Sequence, residues 1–311
     1  MTDPWQFANL SSMLYVPGGD QRKLAKAAGF DVPAVILDLE DAVAMSAKAA
    51  ARAAVARVLR SGQLDRAWVR VNAANPSLHY EDLHAVVVPQ LDGLVLPKVE
   101  TAADVQRVDW LVGVLEEKEG IPAGRVSILP TIETVKGLTN VDAIATASRR
   151  VLSLGFGAGD FSLDLGLEWP TADGGVGPTL LAAKCQIVLA SRRAGLPPPH
   201  DGSFPRFRDQ DGLRQEARLA KSLGFGCKHA IHPAQVPIIQ EVFYPSAAEI
   251  ERSRQIVLAF STQETAGIAN VAHDGALVDY PVALRAAHLL CALGLDPELT
   301  GKVLTSAETH R

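Results

Sequence analysis

Short apolar runs recur along the chain, and each is followed by a turn and then by a segment with apolar residues at helical spacing. Such runs predict buried strands, and the segments between them predict helices. Eight strand–helix units with polar residues at the carboxyl ends of the strands predict an α/β fold, a (β/α)8 TIM barrel. A doubly wound sheet would not need polar strand ends all round. The predicted strands are Met13–Val16, Ala34–Leu37, Ala67–Val71, Leu91–Leu96, Val126–Ile132, Val151–Phe156, Leu196–Asp201 and Gly226–Ile231.

The segments between and after these strands give the predicted helices and the domain division. Thr101 and Asp104 have the spacing of a capping box that opens a helix. Beyond the eighth strand come another helix, a polar stretch from Gly267 to Asp279 and a helical end. We therefore expect a barrel catalytic domain over residues 1–266 and a C-terminal helical extension over residues 267–311, which caps its own barrel or reaches a neighbouring subunit. Other predicted helices are Lys48–Leu59, Thr139–Arg150, Pro178–Ala194 and Asp211–Leu223.

Composition and charge narrow the class of protein. The 311 residues are 48% hydrophobic and 21% charged, which is typical of a soluble enzyme. A formal net charge of −5 without clusters of Lys and Arg argues against a nucleic-acid surface. We find no secretory signal and no apolar run of the roughly 18 to 20 residues that span a bilayer. Three widely spaced cysteines favour a cytoplasmic protein with neither a disulfide framework nor a structural zinc: Cys185, Cys227 and Cys291.

Two of the apolar runs lead into a carboxylate. Val126–Ile132 is followed by Glu133, and Val151–Phe156 leads through a glycine-rich tip to Asp160. Because the carboxyl ends of neighbouring parallel strands meet at one edge of a barrel, both acids are expected to face the same small volume. Two converging carboxylates favour a hard divalent cation such as Mg²⁺. The alternative is that Glu133 favours the start of a helix and that the glycines form only a tight turn.

The strand ends also spell a series of motifs in a fixed order along nearly the whole chain: LYVPG, LDLEDAV, VRVN, LPKVE, PTIET, GFGAGDF, KHAIHPAQV and DGALVDYP. Together they resemble the citrate lyase beta subunit and malyl-CoA lyase family, within the HpcH/HpaI-type metal-dependent aldolases. The resemblance implies a TIM barrel that forms a homotrimer or a dimer of trimers. It also implies a metal-dependent carbon–carbon lyase, an oxo-acid lyase, which cleaves or forms a β-hydroxy acyl-CoA of the malyl, citramalyl or citryl type. The products are an acyl thioester and a small 2-oxo acid such as oxaloacetate, glyoxylate or pyruvate.

Residue roles follow from the same resemblance. Glu133 of PTIET and Asp160 of the glycine-rich tip match the Mg²⁺ ligands, and Arg70 of VRVN matches the residue that clamps the substrate carboxylate. Asp279 in the late motif matches an acid or base that an adjacent subunit supplies. Coenzyme A is then part of the substrate. We also expect Glu40, Asp41 and Gly159 at the substrate site beside Arg70 and Glu133, where Glu40 and Asp41 would position Arg70 or metal-bound water rather than act in catalysis.

Structural alternatives remain for the two catalytic residues. Arg70 would equally suit an ion pair with Glu40 or Asp41 at the barrel mouth, and Asp279 would equally suit the start of the helix before Pro281. A pair of histidines near the eighth strand, His229 and His232, is expected to point to opposite faces, with His229 packed and His232 fixing a loop.

The chain also departs from the family pattern. Many members carry a basic residue just before the first strand, near the coenzyme A phosphates, where this chain has Asn9 to Ser12. Cys227 stands where a glycine is common. Arg206, Arg208 and Lys228 are candidates for replacement positive charge. Alternative functions are therefore a coenzyme A-independent 2-oxo-4-hydroxy acid aldolase, a malyl-CoA thioesterase, and a non-catalytic dicarboxylate-binding barrel or subunit of a larger lyase complex.

Overall fold

In the computed structural model, eight parallel strands close into a barrel in chain order, with the first strand paired to the eighth. The predicted (β/α)8 fold is confirmed. The structure describes residues 10–73, 76–171, 175–265, 270–273 and 275–309. It forms two compact units, the barrel over Leu10–Phe243 and a C-terminal unit that begins at Tyr244. The barrel strands are β1 (Ser12–Pro17), β2 (Ala34–Asp38), β3 (Ala67–Arg70), β4 (Gly93–Leu96), β5 (Ser127–Ile132), β6 (Gly155–Phe156), β7 (His200–Asp201) and β8 (Cys227–Ala230).

Helices follow the strands and cover the outside of the barrel. The predicted capping box is present at the start of α4, where the Asp104 carboxylate accepts a hydrogen bond from the N–H of Thr101 at 2.8 Å. The helix ends at Gly120, which has a left-handed backbone conformation. No described helix is both long and apolar enough to cross a bilayer. The helices of the barrel unit are α1 (Gln21–Lys26), α2 (Lys48–Arg60), α3 (Pro76–Val86), α4 (Ala102–Glu119), α5 (Val135–Thr139), α6 (Val141–Ala145), α7 (Ala158–Asp164), α8 (Pro178–Arg193), α9 (Gln210–Leu223) and α10 (Val236–Phe243).

The prediction of one helix over Thr139–Arg150 is wrong, because two short helices, α5 and α6, occupy this region. The first starts earlier than predicted, since the Thr134 hydroxyl accepts a hydrogen bond from the N–H of Gly137 at 3.0 Å. Asn140 separates the two helices, and its side-chain amide donates to the backbone carbonyl of Glu100 at 2.8 Å. This contact fixes Asn140, whose backbone angles of φ −100° and ψ 11° depart from helical values, so the helix is interrupted there.

Strands six and seven are shorter than predicted. Val151 forms only an isolated parallel bridge with Ile128, and regular pairing begins at Gly155. The seventh strand is confined to His200 and Asp201. These short strands are the weakest part of the barrel wall, because each pairs with its neighbours over one or two residues.

Side chains of β7 and β8 alternate between the helix layer and the barrel interior. Lys228 is fully buried and donates to Asp201 and to Glu216 of α9, both at 2.7 Å. Lys184 of α8 pairs with the same Asp201 at 2.8 Å. Asp201 and Lys228 therefore face the helix layer. Because neighbouring positions on a strand face opposite sides, the residues on either side of Lys228 and the one before Asp201 face inward.

The C-terminal unit consists of α11 (Ala247–Thr265), β9 (Val271–His273), β10 (Ala276–Val278), α12 (Tyr280–Ala292) and α13 (Pro297–Thr309). Its core includes Val257 and Phe260 of α11, Leu290 of α12 and Val303 of α13. Helix α11 therefore packs with the C-terminal segment, whereas the predicted division at residue 266 had assigned it to the barrel. The antiparallel pair β9–β10 lies in the stretch that was predicted only as polar. Residues 267–269 and 274 of that stretch lie outside the described residues.

Candidate active site at the carboxyl end of the barrel

A cavity of about 400 Å³ opens at the carboxyl ends of the strands. Its wall includes residues from six of the strands and from the tip that follows β6. Polar strand ends facing one cavity are the usual location of an active site in this fold. The lining residues used below are Tyr15, Asp38, Asp41, Arg70, Glu133, Gly157, Gly159, Asp160 and His229.

The two predicted metal ligands do face the same volume. Glu133 follows β5 and is 4% exposed, while Asp160 lies in the first turn of α7 and its side chain is 35% exposed. The ammonium group of Lys98 lies 3.4 Å from Asp160 Oδ2 and 3.9 Å from Glu133 Oε2. The structure therefore places both carboxylates around one positive charge.

Gly157 makes room for the Glu133 carboxylate. A methyl group at position 157 would lie 2.5 Å from both Cγ and Oε1 of Glu133. The backbone of Gly157 has φ −106° and ψ 90°, values that other residues also adopt. The glycine is therefore required by the close approach of the carboxylate and not by the backbone conformation.

Lys98 is the central cation of the site, a position that sequence reasoning did not assign to it. Its ammonium lies 2.6 Å from Glu40 Oε1 and 3.7 Å from Asp41, in addition to the two predicted metal ligands. Its backbone N–H donates to Glu133 Oε2 at 3.1 Å. Lys98 has φ +52°, a left-handed conformation that is strained for a residue with a Cβ. That strain is typical of residues held in place at functional sites.

Arg70, the predicted carboxylate clamp, is held mainly by an acid that was not assigned a role. Its Nε and Nη2 donate to the two oxygens of Asp38 at 2.8 and 2.7 Å. Its Nη1 lies 3.1 Å from Glu40 and 3.4 Å from Asp41, the two partners considered from the sequence. The guanidinium also lies 4.8 Å above the ring of Tyr15. One edge of Arg70 is thus fixed by Asp38, and Nη1 is the nitrogen directed at the other acids.

The acids of this cluster are difficult to ionise together. Burial, with the negative charges of Glu40 and Asp160, raises the pKa of Glu133 to about 8 despite the opposing effect of Lys98. Burial also raises the pKa of Glu40 above its ordinary value, although Arg70 and Lys98 oppose this. Glu40 Oε2 is buried without a hydrogen-bond partner, although Arg70 Nη1 lies 3.1 Å away. Burial is the main cause of both raised pKa values, and for Glu133 the neighbouring negative charges of Glu40 and Asp160 add to it.

The pKa values of the two basic residues are raised as well, and for a base this favours the charged form. Burial alone would lower the pKa of Arg70, but the hydrogen bonds to Asp38 and the surrounding negative charges raise it. Burial likewise opposes the charge on Lys98, and the hydrogen bond to Glu40 raises the pKa of Lys98 above its ordinary value. Both residues are therefore cations at neutral pH.

The donor set fits a hard divalent cation. Glu133 and Asp160 offer carboxylate oxygens to the cavity, and Mg²⁺ prefers such ligands. Burial is the main cause of the raised pKa of Glu133, and a cation here would offset both the cost of burying its charge and the repulsion from Glu40 and Asp160. Gly157 leaves the space in which the Glu133 carboxylate lies. On these three observations the predicted Mg²⁺ fits Glu133 and Asp160.

The remaining site predictions fall in different places. Gly159 is in α7 and lines the cavity, as expected for a residue near the substrate. Asp279 caps α12 and accepts a hydrogen bond from the N–H of Val282 at 3.3 Å, which is the structural role considered for it. Its catalytic role stays a prediction. His229 is buried, and exposed His232 accepts from the N–H of Ala234, so both expectations for the histidines are confirmed.

The three basic residues considered as partners for a coenzyme A phosphate differ in their exposure to solvent. Lys228 is unsuited to this role, because it is fully buried in its ion pairs with Asp201 and Glu216. Arg206 and Arg208 are exposed. Asn9 lies outside the described residues.

Comparisons with known proteins agree with this architecture. The family described as HpcH/HpaI aldolase/citrate lyase matches residues 11–233. The citrate lyase subunit beta of Haemophilus influenzae is 33% identical over 277 residues, which are 88% of this chain and 94% of that protein. The (3S)-malyl-CoA thioesterase of Cereibacter sphaeroides is 34% identical over 273 residues, 86% of this chain and 89% of the relative.

A solved structure of CitE from Mycobacterium tuberculosis, in complex with magnesium, acetoacetate and coenzyme A, superposes with a TM-score of 0.74. It is 29% identical in sequence, and the match covers 91% of this chain and 97% of that one. The fold, the motifs and the family match lead to one conclusion: the chain belongs to the HpcH/HpaI aldolase/citrate lyase family.

Proposed function

We propose that the protein is a Mg²⁺-dependent carbon–carbon lyase that cleaves or forms a β-hydroxy acyl thioester, with a small 2-oxo acid as the second reactant or product. The observation that carries this proposal is the cavity that brings together two acids, Glu133 and Asp160, with the guanidinium of Arg70. A 2-oxo acid combines a carboxylate with an adjacent oxygen, and such a ligand suits a cation beside an arginine. Structures of the Mycobacterium tuberculosis relative in complex with magnesium and oxaloacetate, and with magnesium and pyruvate, support this class of ligand.

Each residue of the site then has a defined task. When bound to Glu133 and Asp160, Mg²⁺ would act as a Lewis acid that polarises the substrate oxygen and stabilises negative charge on it. Arg70 binds the substrate carboxylate through Nη1, while Asp38 keeps the guanidinium in one orientation. Lys98 balances the charge of Glu40 and supports Glu133 through its backbone N–H.

We further propose that Asp279 moves the proton at the acyl carbon and does so in the active site of a neighbouring subunit of a homotrimer. Mixing inactive Asp279→Ala chains with inactive Arg70→Ala chains tests this assignment. If the acid crosses between subunits, some active sites in mixed oligomers contain both wild-type residues, and activity is partly restored. Each variant alone is the control, and mixtures that stay inactive contradict a shared site.

Thioester hydrolysis is the second candidate, because the Cereibacter sphaeroides relative is named a (3S)-malyl-CoA thioesterase. The two reactions differ in their products. A lyase releases an oxo acid and leaves the thioester intact, whereas a thioesterase releases free thiol and malate.

The deciding experiment incubates the purified chain with malyl-CoA, citramalyl-CoA, citryl-CoA or a free 2-oxo-4-hydroxy acid, with Mg²⁺ or with a chelator. We expect Mg²⁺-dependent release of a 2-oxo acid from a thioester and none with Asp160→Ala. Free thiol without oxo acid would favour the thioesterase. Turnover of the free acid alone would favour the coenzyme A-independent aldolase. Oxaloacetate binding without turnover of any substrate would overturn the enzyme proposal and favour a binding barrel or a subunit of a larger complex.

A further inference from the structure

The barrel interior beneath the cavity contains a cluster of nitrogen and sulfur ligands that the proposed lyase does not use. His200 of β7 and both Cys227 and His229 of β8 are buried, with exposures of 5%, 1% and 4%. One ligand atom from each lies within 4.8 Å of the other two. His200 Nδ1 and His229 Nε2 are 3.3 Å apart.

All three side chains point inward for a structural reason. Their strand neighbours, Asp201 and Lys228, are anchored toward α8 and α9 by buried ion pairs. The alternation of side chains along a strand then fixes the direction of the cluster. A slip of either strand by one residue would break those ion pairs, so the inward position of the cluster is strongly specified.

We propose that His200, Cys227 and His229 form a binding site for a borderline or soft divalent cation of the Zn²⁺ type. Zinc bonds of about 2.0 to 2.1 Å to nitrogen and about 2.3 Å to sulfur give tetrahedral edges of roughly 3.3 Å between nitrogens and roughly 3.6 Å between nitrogen and sulfur. The observed nitrogen separation of 3.3 Å already equals the first value. The remaining separations are at most 4.8 Å, so binding would draw the sulfur up to about 1.2 Å closer to the nitrogens.

Chemistry separates this site from the carboxylate site above it. Mg²⁺ prefers oxygen ligands, whereas thiolate and imidazole favour Zn²⁺ and Co²⁺. His229 also lines the cavity, so the cluster adjoins the cavity at this residue. Bound there, the cation would join β7 to β8, where pairing is limited to two residues.

The competing explanation is a packed polar core. In that case one imidazole simply donates to the other across 3.3 Å, and His229 packs edge-on against Tyr15. That arrangement needs no cation and gives no preference for Zn²⁺ over Mg²⁺. The two explanations therefore predict different results, because only a metal site makes the reduced protein retain Zn²⁺ or Co²⁺ in the presence of excess Mg²⁺.

The test uses the full-length protein in an Asp160→Asn background, which removes a ligand of the carboxylate site, with Mg²⁺ in excess. After chelation, the reduced protein is dialysed against a slight molar excess of Co²⁺ or Zn²⁺ and then against metal-free buffer that contains Mg²⁺. We expect retention of about one equivalent and, with Co²⁺, a thiolate-to-metal charge-transfer band. Cys227→Ser should abolish the band and weaken binding roughly 100-fold or more. Cys185→Ser is the matched control and should keep both properties, because Cys185 lies on α8 outside the cluster.

Two results would overturn the proposal. The first is no band and no retained cation in the parent protein. The second is a band or retention that persists unchanged in Cys227→Ser. Should Cys227→Ser fail to fold by circular dichroism, His200→Gln gives the same decision, since unchanged retention in that variant also excludes the site. None of these measurements uses a substrate, so their outcome is independent of the proposed lyase activity.

Discussion

Replacing Gly157 by alanine is the sharpest test of how the barrel positions its candidate metal ligand. The added methyl group would lie 2.5 Å from Cγ and Oε1 of Glu133, whereas ordinary contacts are 3.4 to 4 Å. The carboxylate must therefore move by about 1 Å. Displacements of this size in a reacting group cost on the order of 100-fold in rate. The backbone at position 157 is accessible to alanine, so the effect would come from this contact.

Two measurements follow the displaced carboxylate directly. Titration with Mn²⁺ as a paramagnetic substitute for Mg²⁺ should give a dissociation constant raised roughly 10- to 100-fold in Gly157→Ala, in line with the effect of disturbing a ligand's support. Urea unfolding should give a free energy of unfolding about 1 to 3 kcal/mol lower, the usual effect of overpacking. Gly159→Ala is the control for metal affinity, because its methyl group would meet Trp169 only at 3.6 Å, an ordinary contact.

A double-mutant cycle shows whether the effect passes through Glu133. In a Glu133→Ala background the methyl group at position 157 meets no carboxylate, so Gly157→Ala should no longer destabilise the protein. A Gly157→Ala protein that binds Mn²⁺ as tightly as the wild type would refute the reasoning. An equal loss of stability in both backgrounds would show that the contact with Glu133 is not responsible.

Three further predictions concern the charges around this carboxylate. The folded-state pKa of Glu133 is about 8 against an ordinary value of 4.5, so between these pH values the folded state binds more protons than the unfolded state. From pH 5 to pH 8 the metal-free wild type should therefore lose a few kcal/mol of unfolding free energy relative to Glu133→Gln, measured by urea unfolding. Parallel pH profiles of the two proteins would contradict this prediction. Lys98→Gly should be about 1 kcal/mol more stable than Lys98→Ala, because only glycine relieves the left-handed backbone, and equal unfolding free energies would exclude strain there. Asp38→Asn should raise the KM for the oxo acid or its thioester roughly 10-fold by freeing Arg70, whereas a further rise in KM when Asp38→Asn is added to Arg70→Lys would show that Asp38 acts independently of Arg70.

The positions of the two candidate metal ligands were predictable because each depends on a local pattern. An apolar run followed by an acid fixes Glu133 at the end of a strand, and a parallel barrel brings such ends together. Asp38 has the same signal, since it is the last residue of a buried strand, yet the pattern does not say which of three nearby acids pairs with Arg70. That choice depends on the register between β2 and β3, where Asp38 lies opposite Arg70.

Other features have no local signal. The left-handed backbone of Lys98 directs its side chain into the acidic cluster, and nothing in the motif LPKVE announces that conformation. His200 and Cys227 meet only because β7 and β8 pair in one particular register. The helix predicted over Thr139–Arg150 failed for a similar reason, since the contact of Asn140 with Glu100 links segments that are distant in sequence. Local patterns therefore predicted the elements, and long-range register decided which side chains meet.

The charge balance at the barrel mouth relates the acids, Lys98 and Arg70 to the candidate Mg²⁺ ligands. Among the described residues at the cavity and beside it, five acids face only two cations. A divalent cation would remove most of that imbalance. The Lys98 ammonium is closest to Glu40 and lies farther from Glu133 and Asp160, so it does not form a close ion pair with either candidate metal ligand. Arg70 is kept from neutralising the candidate metal ligands by its two bonds to Asp38. The cluster thus keeps its surplus negative charge on the side where Glu133 and Asp160 face the cavity, which is the arrangement that a site for Mg²⁺ and an anionic substrate requires.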